Sequence, residues 1–263
     1  MRCDRCAGER FTKAGWDRAR RRLYRCTGCG RRLTARTGSA FSGYLFPDDV
    51  IALAVRWYLR YRLSYAEVAE WLAERGVAAD RSTVYRWAQR FLPLLGEAAR
   101  RFRRPVDGRW HVDETYCRLN GRWAYCYRAI DQGGQVVDVG VSERRNDVAA
   151  RAFFERAMAE TGVMPERVVT DKAACYPPAL RALLPTAEHR CSKYLNNGLE
   201  RDHGHLKQRV RPMRGFKRRA SADIFARGHA LIQNLRHGYS NLTAGVALPL
   251  RVAAAWPPLT RAI

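Results

Sequence analysis

The sequence predicts a multidomain chain: an N-terminal zinc ribbon, an all-α helix-turn-helix domain, and an α/β domain built on a mixed sheet. Three observations predict it. Two Cys-x-x-Cys pairs stand near the amino terminus. Three amphipathic stretches follow between residues 47 and 103, one of them opened by a capping-box signature. From residue 108 onward, three strand-type runs are followed by helix-type and strand-type runs in alternation. The 263 residues suffice for two or three domains with their own cores, and a hydrophobic content of 47% excludes a disordered chain.

The net charge is +23, from 48 Lys and Arg against 25 Asp and Glu. An excess carried mostly by Arg suits phosphate geometry and points to nucleic acid, a basic proteome being the alternative. The amino terminus has charge but no apolar run of signal-peptide type. The longest apolar stretch, Val50 to Val55, is far too short to span a bilayer. The expectation is a cytoplasmic, nucleoid-associated protein with no membrane partner, whose eight cysteines form no stable disulfides.

Residues 1–37 form the first module. Cys3-x-x-Cys6 and Cys26-x-x-Cys29 carry the spacing of a four-cysteine zinc ribbon, with Gly8, Gly28 and Gly30 supplying tight turns. Four thiolates complete a tetrahedron around structural Zn²⁺ and leave no open position for catalysis. The segment carries 12 Lys and Arg against 3 Asp and Glu, so it is expected to touch phosphate as well. Its Arg20-Arg21-Arg22 run reads equally as a solvated face. Cys117, Cys126, Cys175 and Cys191 have no ligand spacing and read as packing residues.

Residues 41–105 form the second. Pro47 and Asp48 open a helix running through Val50–Arg60. Ser64 and Glu67 form the capping box of the next, with an apolar stripe at Tyr65, Val68, Ala69 and Leu72 and a stop at Gly76. Ser82 is the expected cap of a third helix with a stripe at Val84, Trp87, Ala88 and Phe91. Two short helices joined by a Gly-containing turn are the helix-turn-helix pattern. Its outward face offers Arg81, Thr83, Tyr85, Arg86, Gln89 and Arg90 to a major groove; an ordinary three-helix bundle with a charged surface is the alternative. Arg100 to Pro105 reads as a basic linker.

Residues 108–240 form the third, followed by a tail, 241–263, without a readable motif. Trp110–Cys117 and Trp123–Ile130 read as strands joined at Asn120-Gly121, and Gly133-Gly134 turns into a third strand, Val136–Val141. Asn146 caps a helix over Asp147–Glu160, Arg167–Thr170 is a short strand, and Pro177–Leu184 is helical. A short strand precedes Arg190, and Asn197 caps a helix that carries Glu200 and runs to Arg211.

Three carboxylates stand out. Asp113 lies within an aromatic and β-branched run, beside Glu114; strand alternation sends the two to opposite faces, so only one is expected at a given site. Asp171 sits at the carboxyl end of its strand, where α/β sheets place ligands. Glu200 lies three residues after Asn197 and shares a helix face with His203 and Lys207, next to an apolar stripe through Leu199, Leu206 and Val210. Each has a plainer reading: a salt-bridged strand Asp, a turn-forming Asp, the Glu of a capping arrangement, a packed histidine. Together, in a basic chain with two DNA-contacting modules, they suit a pair of Mg²⁺ ions acting on a phosphodiester.

The stretches AVRWYLRYRLSYAEVAEWLAERGV (54–77), STVYRWAQRF (82–91), WHVDETY (110–116), GRWAYCYRAID (121–131), SERRN (142–146), TDKAACYPPAL (170–180), KYLNNGLERDHGHLKQRVRP (193–212) and GFK (215–217) make Phe41 to about Tyr239 resemble the DDE transposases of the insertion-sequence-six family. The resemblance implies a ribonuclease-H-like catalytic domain with Asp113, Asp171 and Glu200 as its metal-binding triad. It implies binding of the inverted-repeat ends of an insertion sequence, cleavage at DNA 3′ ends with two Mg²⁺ ions (or Mn²⁺ in their place), and strand transfer into target DNA. It also implies a homo-oligomer, since two double-stranded ends must be held together. Arg144, Arg145, Lys172 and Lys193, with His203 and Lys207, are the phosphate-contacting candidates. Between Asp171 and Glu200 stand 28 residues, fewer than the family usually has; the shortening falls around Leu183–Glu188. A catalytically decayed DNA-binding regulator and a nuclease of the same fold are the rival readings.

Overall fold

The computed structural model describes residues 1–192 and 197–263, and for 197–202 the helical backbone alone. The chain begins with a three-stranded antiparallel sheet, β1 (Phe11–Trp16), β2 (Arg22–Cys26) and β3 (Arg32–Leu33), in the order β1-β2-β3. Its first hairpin turns on Asp17, whose carboxylate accepts from the backbone N–H groups of Ala19 and Arg21, 2.8 and 2.9 Å away. This knob has a small core of its own, Cys3, Cys26 and Leu33, with Phe11 and Cys29 against it. Arg21 and Arg36 tie it to the next segment through the Tyr44 carbonyl, and Arg36 also pairs with Asp48.

A helical region follows: α1 (Asp48–Arg60), α2 (Tyr65–Ala73) and α3 (Arg81–Arg100). The Ser64 and Glu67 capping box is formed in full at α2. Gly76 adopts a φ of +74°, which ends that helix by a conformation side chains disfavour. The cap of α3 departs from expectation. Asp80, not Ser82, is the N-cap: its carboxylate accepts from Thr83 N at 2.7 Å, and the Ser82 hydroxyl donates to the same carboxylate. Ser82 already lies inside the first turn, two positions past the cap, and a full negative charge suits the helix dipole better than a hydroxyl.

Beyond residue 108 lies a five-stranded mixed sheet. Its strands are β4 (Arg109–Leu119), β5 (Arg122–Asp131), β6 (Val136–Ser142), β7 (Arg167–Thr170) and β8 (Glu188–Cys191), in the order β6-β5-β4-β7-β8. The β4–β5–β6 part is antiparallel, and β7 and β8 run parallel to β4. Asn120 and Gly121 both take positive φ in the β4–β5 turn, the conformation this pair was expected to adopt. Helix α4 (Asp147–Thr161), capped by Asn146, and α5 (Tyr176–Leu183) cover one face. Helix α6 (Asn197–Val210) crosses the other. This is the mixed sheet of a ribonuclease-H-like fold, with its first strand central. The proposed cap Asn197 lies among the residues whose side chains fall outside the description.

Two long-range elements were not legible in the sequence. Helix α7 (Arg219–His237) buries Phe225, Ile232 and Leu235 between the sheet and the helical region, and α8 (Arg251–Arg261) closes the chain. The 241–263 tail therefore has structure: Val252, Ala255, Trp256 and Leu259 are buried, and the Trp256 indole donates to the Ala52 carbonyl of α1 at 2.8 Å. One continuous apolar core joins α1, α2, α3, α7, α8 and a face of the sheet. Gly215 of the GFK stretch is required by a close backbone approach. At φ +100° its backbone lies so close to Arg118 that a Cβ would stand 2.7 Å from the Arg118 Cβ, and Phe216 bonds the β4–β5 hairpin on both sides.

Candidate active site

Strand β4 carries Asp113 and Glu114 to the middle of the sheet, and β7 ends one residue before Asp171. Register sets Val112 of β4 opposite Thr170, the last residue of β7. Beyond that pair β7 stops, and among the described residues the next backbone partner of β4 on this side is Phe216, bridged to Leu119. The single-face expectation for Asp113 and Glu114 is corrected here. The two side chains do leave opposite faces: Asp113 approaches His203 of α6, whereas Glu114 accepts from the Tyr176 hydroxyl of α5. Because β7 ends at Thr170, both carboxylates still converge on Asp171 just beyond it. One oxygen from each of Asp113, Glu114 and Asp171 lies within 4.8 Å of the others.

The electrostatics follow from that crowding. Burial raises the Asp113 carboxyl to about 7, and the neighbouring Glu114 and Asp171 add to it, against a backbone N–H bond from Glu114. Burial likewise raises Glu114, opposed by the Tyr176 hydroxyl and Arg145. Arg145 pairs with Glu114 and places Nη2 3.2 Å from Asp171 Oδ2. Burial works against its charge, but the two carboxylates outweigh it and its pKa rises. His203 is buried, and desolvation, then Arg128 and Lys207, lower it to about 3. Its Nδ1 stands 3.8 Å from Asp113 Oδ2, a contact of a neutral imidazole rather than an ion pair. Clustered hard oxygens that repel one another and hold a cation already are the donor set magnesium takes.

The zinc-type site is assembled as its spacing predicts. The Cys3, Cys6, Cys26 and Cys29 sulfurs all lie within 4.8 Å of one another, with Cys3 to Cys29 and Cys6 to Cys26 both 3.5 Å. A Zn–S bond of about 2.3 Å gives a tetrahedral edge of about 3.8 Å, so the four fit the ion. Backbone N–H groups, those of Arg5 and Cys6 above all, lower the Cys3 thiol to about 6. None of the eight cysteines, all of them among the described residues, forms a disulfide; Cys117, Cys126 and Cys175 are buried and Cys191 is exposed.

The remaining predicted residues divide. Arg81, Arg86 and Arg90 are exposed on α3, and Thr83 is half-buried and accepts from Arg86. Tyr85 and Gln89 turn inward instead: both bond the Ser221 hydroxyl of α7, at 3.3 and 3.0 Å. An α7 helix absent from the sequence reading covers that part of the face. His203 is walled in beside Asp113 rather than displayed to a ligand's backbone, because the apolar stripe of α6 packs it onto the sheet. Arg144, Lys172 and Lys207 are exposed. Lys193 and the Glu200 side chain lie outside the described residues. Glu114 and Tyr176 were missed as partners; the signal available was only that Tyr176 follows Asp171 at the start of a helix.

Residues 107–239 match a family model described as a DDE domain, a span that includes every strand of the mixed sheet. The chain belongs to the DDE transposase family. The transposase for insertion sequence-like element IS431mec of Staphylococcus aureus strain Mu50 is 40% identical over 169 residues, 62% of this chain and 75% of that one. The transposase for insertion sequence element IS257 in transposon Tn4003, also from Staphylococcus aureus, is 40% identical over the same shares. Among solved structures, the HTLV-2 integrase catalytic core domain in complex with magnesium overlaps at a TM-score of 0.33 with 15% identity, covering 57% of this chain and 85% of that one. The chain is a DDE-type enzyme with a zinc-type cysteine cluster, a helical region and a metal-type acidic cluster suited to phosphodiester chemistry. Among the described residues no helix is long and apolar enough to cross a membrane.

Proposed function

We propose that the protein binds the inverted-repeat ends of an insertion sequence, cleaves their 3′ ends and joins them to target DNA. The observation that carries this reading is the meeting of Asp113 and Asp171 at one open end of the sheet, their oxygens within 4.8 Å, inside a domain matched to the DDE family. Asp113 and Asp171, with Glu200 delivered on α6, are the residues proposed to hold two magnesium ions. When bound, the metal supplies activation of the attacking oxygen and stabilisation of the leaving one. The chain's own groups position and neutralise. His203, neutral, packs against Asp113 and fixes its orientation. Arg145 balances Glu114 and Asp171 and stands where a DNA phosphate would meet it. Exposed Arg81, Arg86 and Arg90 on α3 suit contacts to the end sequence, and the basic ribbon of residues 1–37 suits phosphate contacts beside it. The helix-turn-helix segment 41–105, the catalytic segment 108–240 and the tail 241–263 act as parts of one packed body. Two ends held together call for at least two copies of the chain.

The test is a magnesium-dependent cleavage and strand-transfer assay on DNA carrying the gene's own flanks, with wild type and Asp113→Ala. Joined products are expected from the wild type alone, with DNA binding kept by both. Binding without cleavage in both proteins would turn the reading into that of a decayed regulator. Cleavage without joining would favour a nuclease.

A further inference from the structure

The β4–β5 hairpin runs past the carboxylates, and among the described residues the outer end of one face is left uncovered. Cross-strand register sets Glu114 opposite Tyr127, Tyr116 opposite Tyr125 and Arg118 opposite Trp123. Strand alternation puts all six on the same face. The reverse face, with Thr115, Cys117 and Leu119, is buried. Along the open face exposure grows outward: Tyr127 is 1% exposed, Tyr116 54% and Trp123 59%. The rings touch in sequence. Tyr116 lies 5.4 Å from Tyr125 and 6.0 Å from Trp123, and the Arg118 guanidinium sits 4.6 Å over the Trp123 ring. Tyr116 is two residues from Glu114, a distance of about 7 Å along a strand. A contiguous exposed aromatic strip of this kind marks a contact surface.

We propose that this strip is a stacking platform for unpaired bases of the DNA strand next to the phosphate at the carboxylates. The inference rests on the reading of that site as one that acts on DNA. Charge selects the occupant. Residues 115–126 contain Arg118 and Arg122 and no Asp or Glu. A nucleotide offers a flat π-face to the rings and a phosphate to the guanidinium groups at once, in any base sequence. The hairpin is also stiffly held, because Phe216 bonds its backbone from α6's far side at Arg118 and Asn120.

The test uses the full-length protein without divalent metal and two probes of equal length: a single strand with 2-aminopurine at its centre, and a blunt duplex. The variants are Trp123→Ala, Trp123→Phe and Tyr116→Ala, each checked for an unchanged melting temperature. Quenching of the 2-aminopurine is expected with wild type and Trp123→Phe. Trp123→Ala is expected to lose the quenching and to bind the single strand about ten-fold more weakly, with duplex affinity little changed. Equal single-strand binding and quenching by wild type and Trp123→Ala would overturn the proposal, as would an equal loss on both probes. A fall in oligomer mass in the variant, read by light scattering, would make the strip an interface between copies and overturn it too. The underlying reading fails separately: quenching without magnesium-dependent cleavage leaves the platform and removes the transposase chemistry, and cleavage without quenching does the reverse.

Discussion

His203 places its Nδ1 3.8 Å from Oδ2 of Asp113, with the imidazole buried and neutral and the carboxyl raised to about 7. Burial, with Glu114 and Asp171 adding to it, makes the ionisation of Asp113 the step on which metal binding depends. In the metal-free protein the folded state holds this proton more tightly than the unfolded chain does. Stability from this group is therefore lost as pH rises from the ordinary value of 3.8 toward about 7. Divalent affinity should rise with pH up to about 7 and level off above it, because the proton must leave first. Calorimetric titration of Mn²⁺ across that range checks this, and a flat affinity would exclude it. Metal-free Asp113→Asn should melt higher than wild type at neutral pH and by a smaller margin near pH 4.

Arg145 competes with a metal for the oxygens of Glu114 and Asp171. Arg145→Gln removes that competitor and leaves two carboxylates facing each other. The expected outcome is roughly ten-fold tighter Mn²⁺ binding in the absence of DNA, a charged hydrogen bond contributing about 1.5–3 kcal/mol. Without divalent metal the variant should melt lower. Weaker Mn²⁺ binding would show that Arg145 supports the metal rather than standing in for it.

The zinc knob has a core separate from the rest. Cys6→Ser, or a strong chelator, should abolish zinc content and open residues 1–37 to protease while the remaining chain stays folded. Limited proteolysis with mass spectrometry reads the cut positions. Cuts spread through the α/β region would show that the knob supports the whole molecule.

Trp256 is 3% exposed, and its indole caps a carbonyl of α1. Trp256→Ala should cost about 3–5 kcal/mol, the usual loss for a large buried aromatic. Chemical denaturation measures it. A loss under about 1 kcal/mol would mean that α8 contributes little to the fold.

What the sequence determined by itself was local. The Cys-x-x-Cys turns, the Ser64 and Glu67 capping box, the Asn146 cap, the Asn120-Gly121 turn and the strand leading to Asp171 each depend on groups a few residues apart, so the chain announces them wherever it folds. Packing decided the rest. Tyr176 bonds Glu114 from 62 residues away, and Ser221 captures Tyr85 and Gln89 from more than 130 residues away. Neither has a periodicity or a spacing to read. The same holds for α8, whose apolar residues had no visible partner until α1 lay beside them. Alternation sent Asp113 and Glu114 to opposite faces, and it did so correctly. Only the end of β7 at Thr170 let both carboxylates meet Asp171, because past that residue no β7 backbone stands between the two faces on that side of β4.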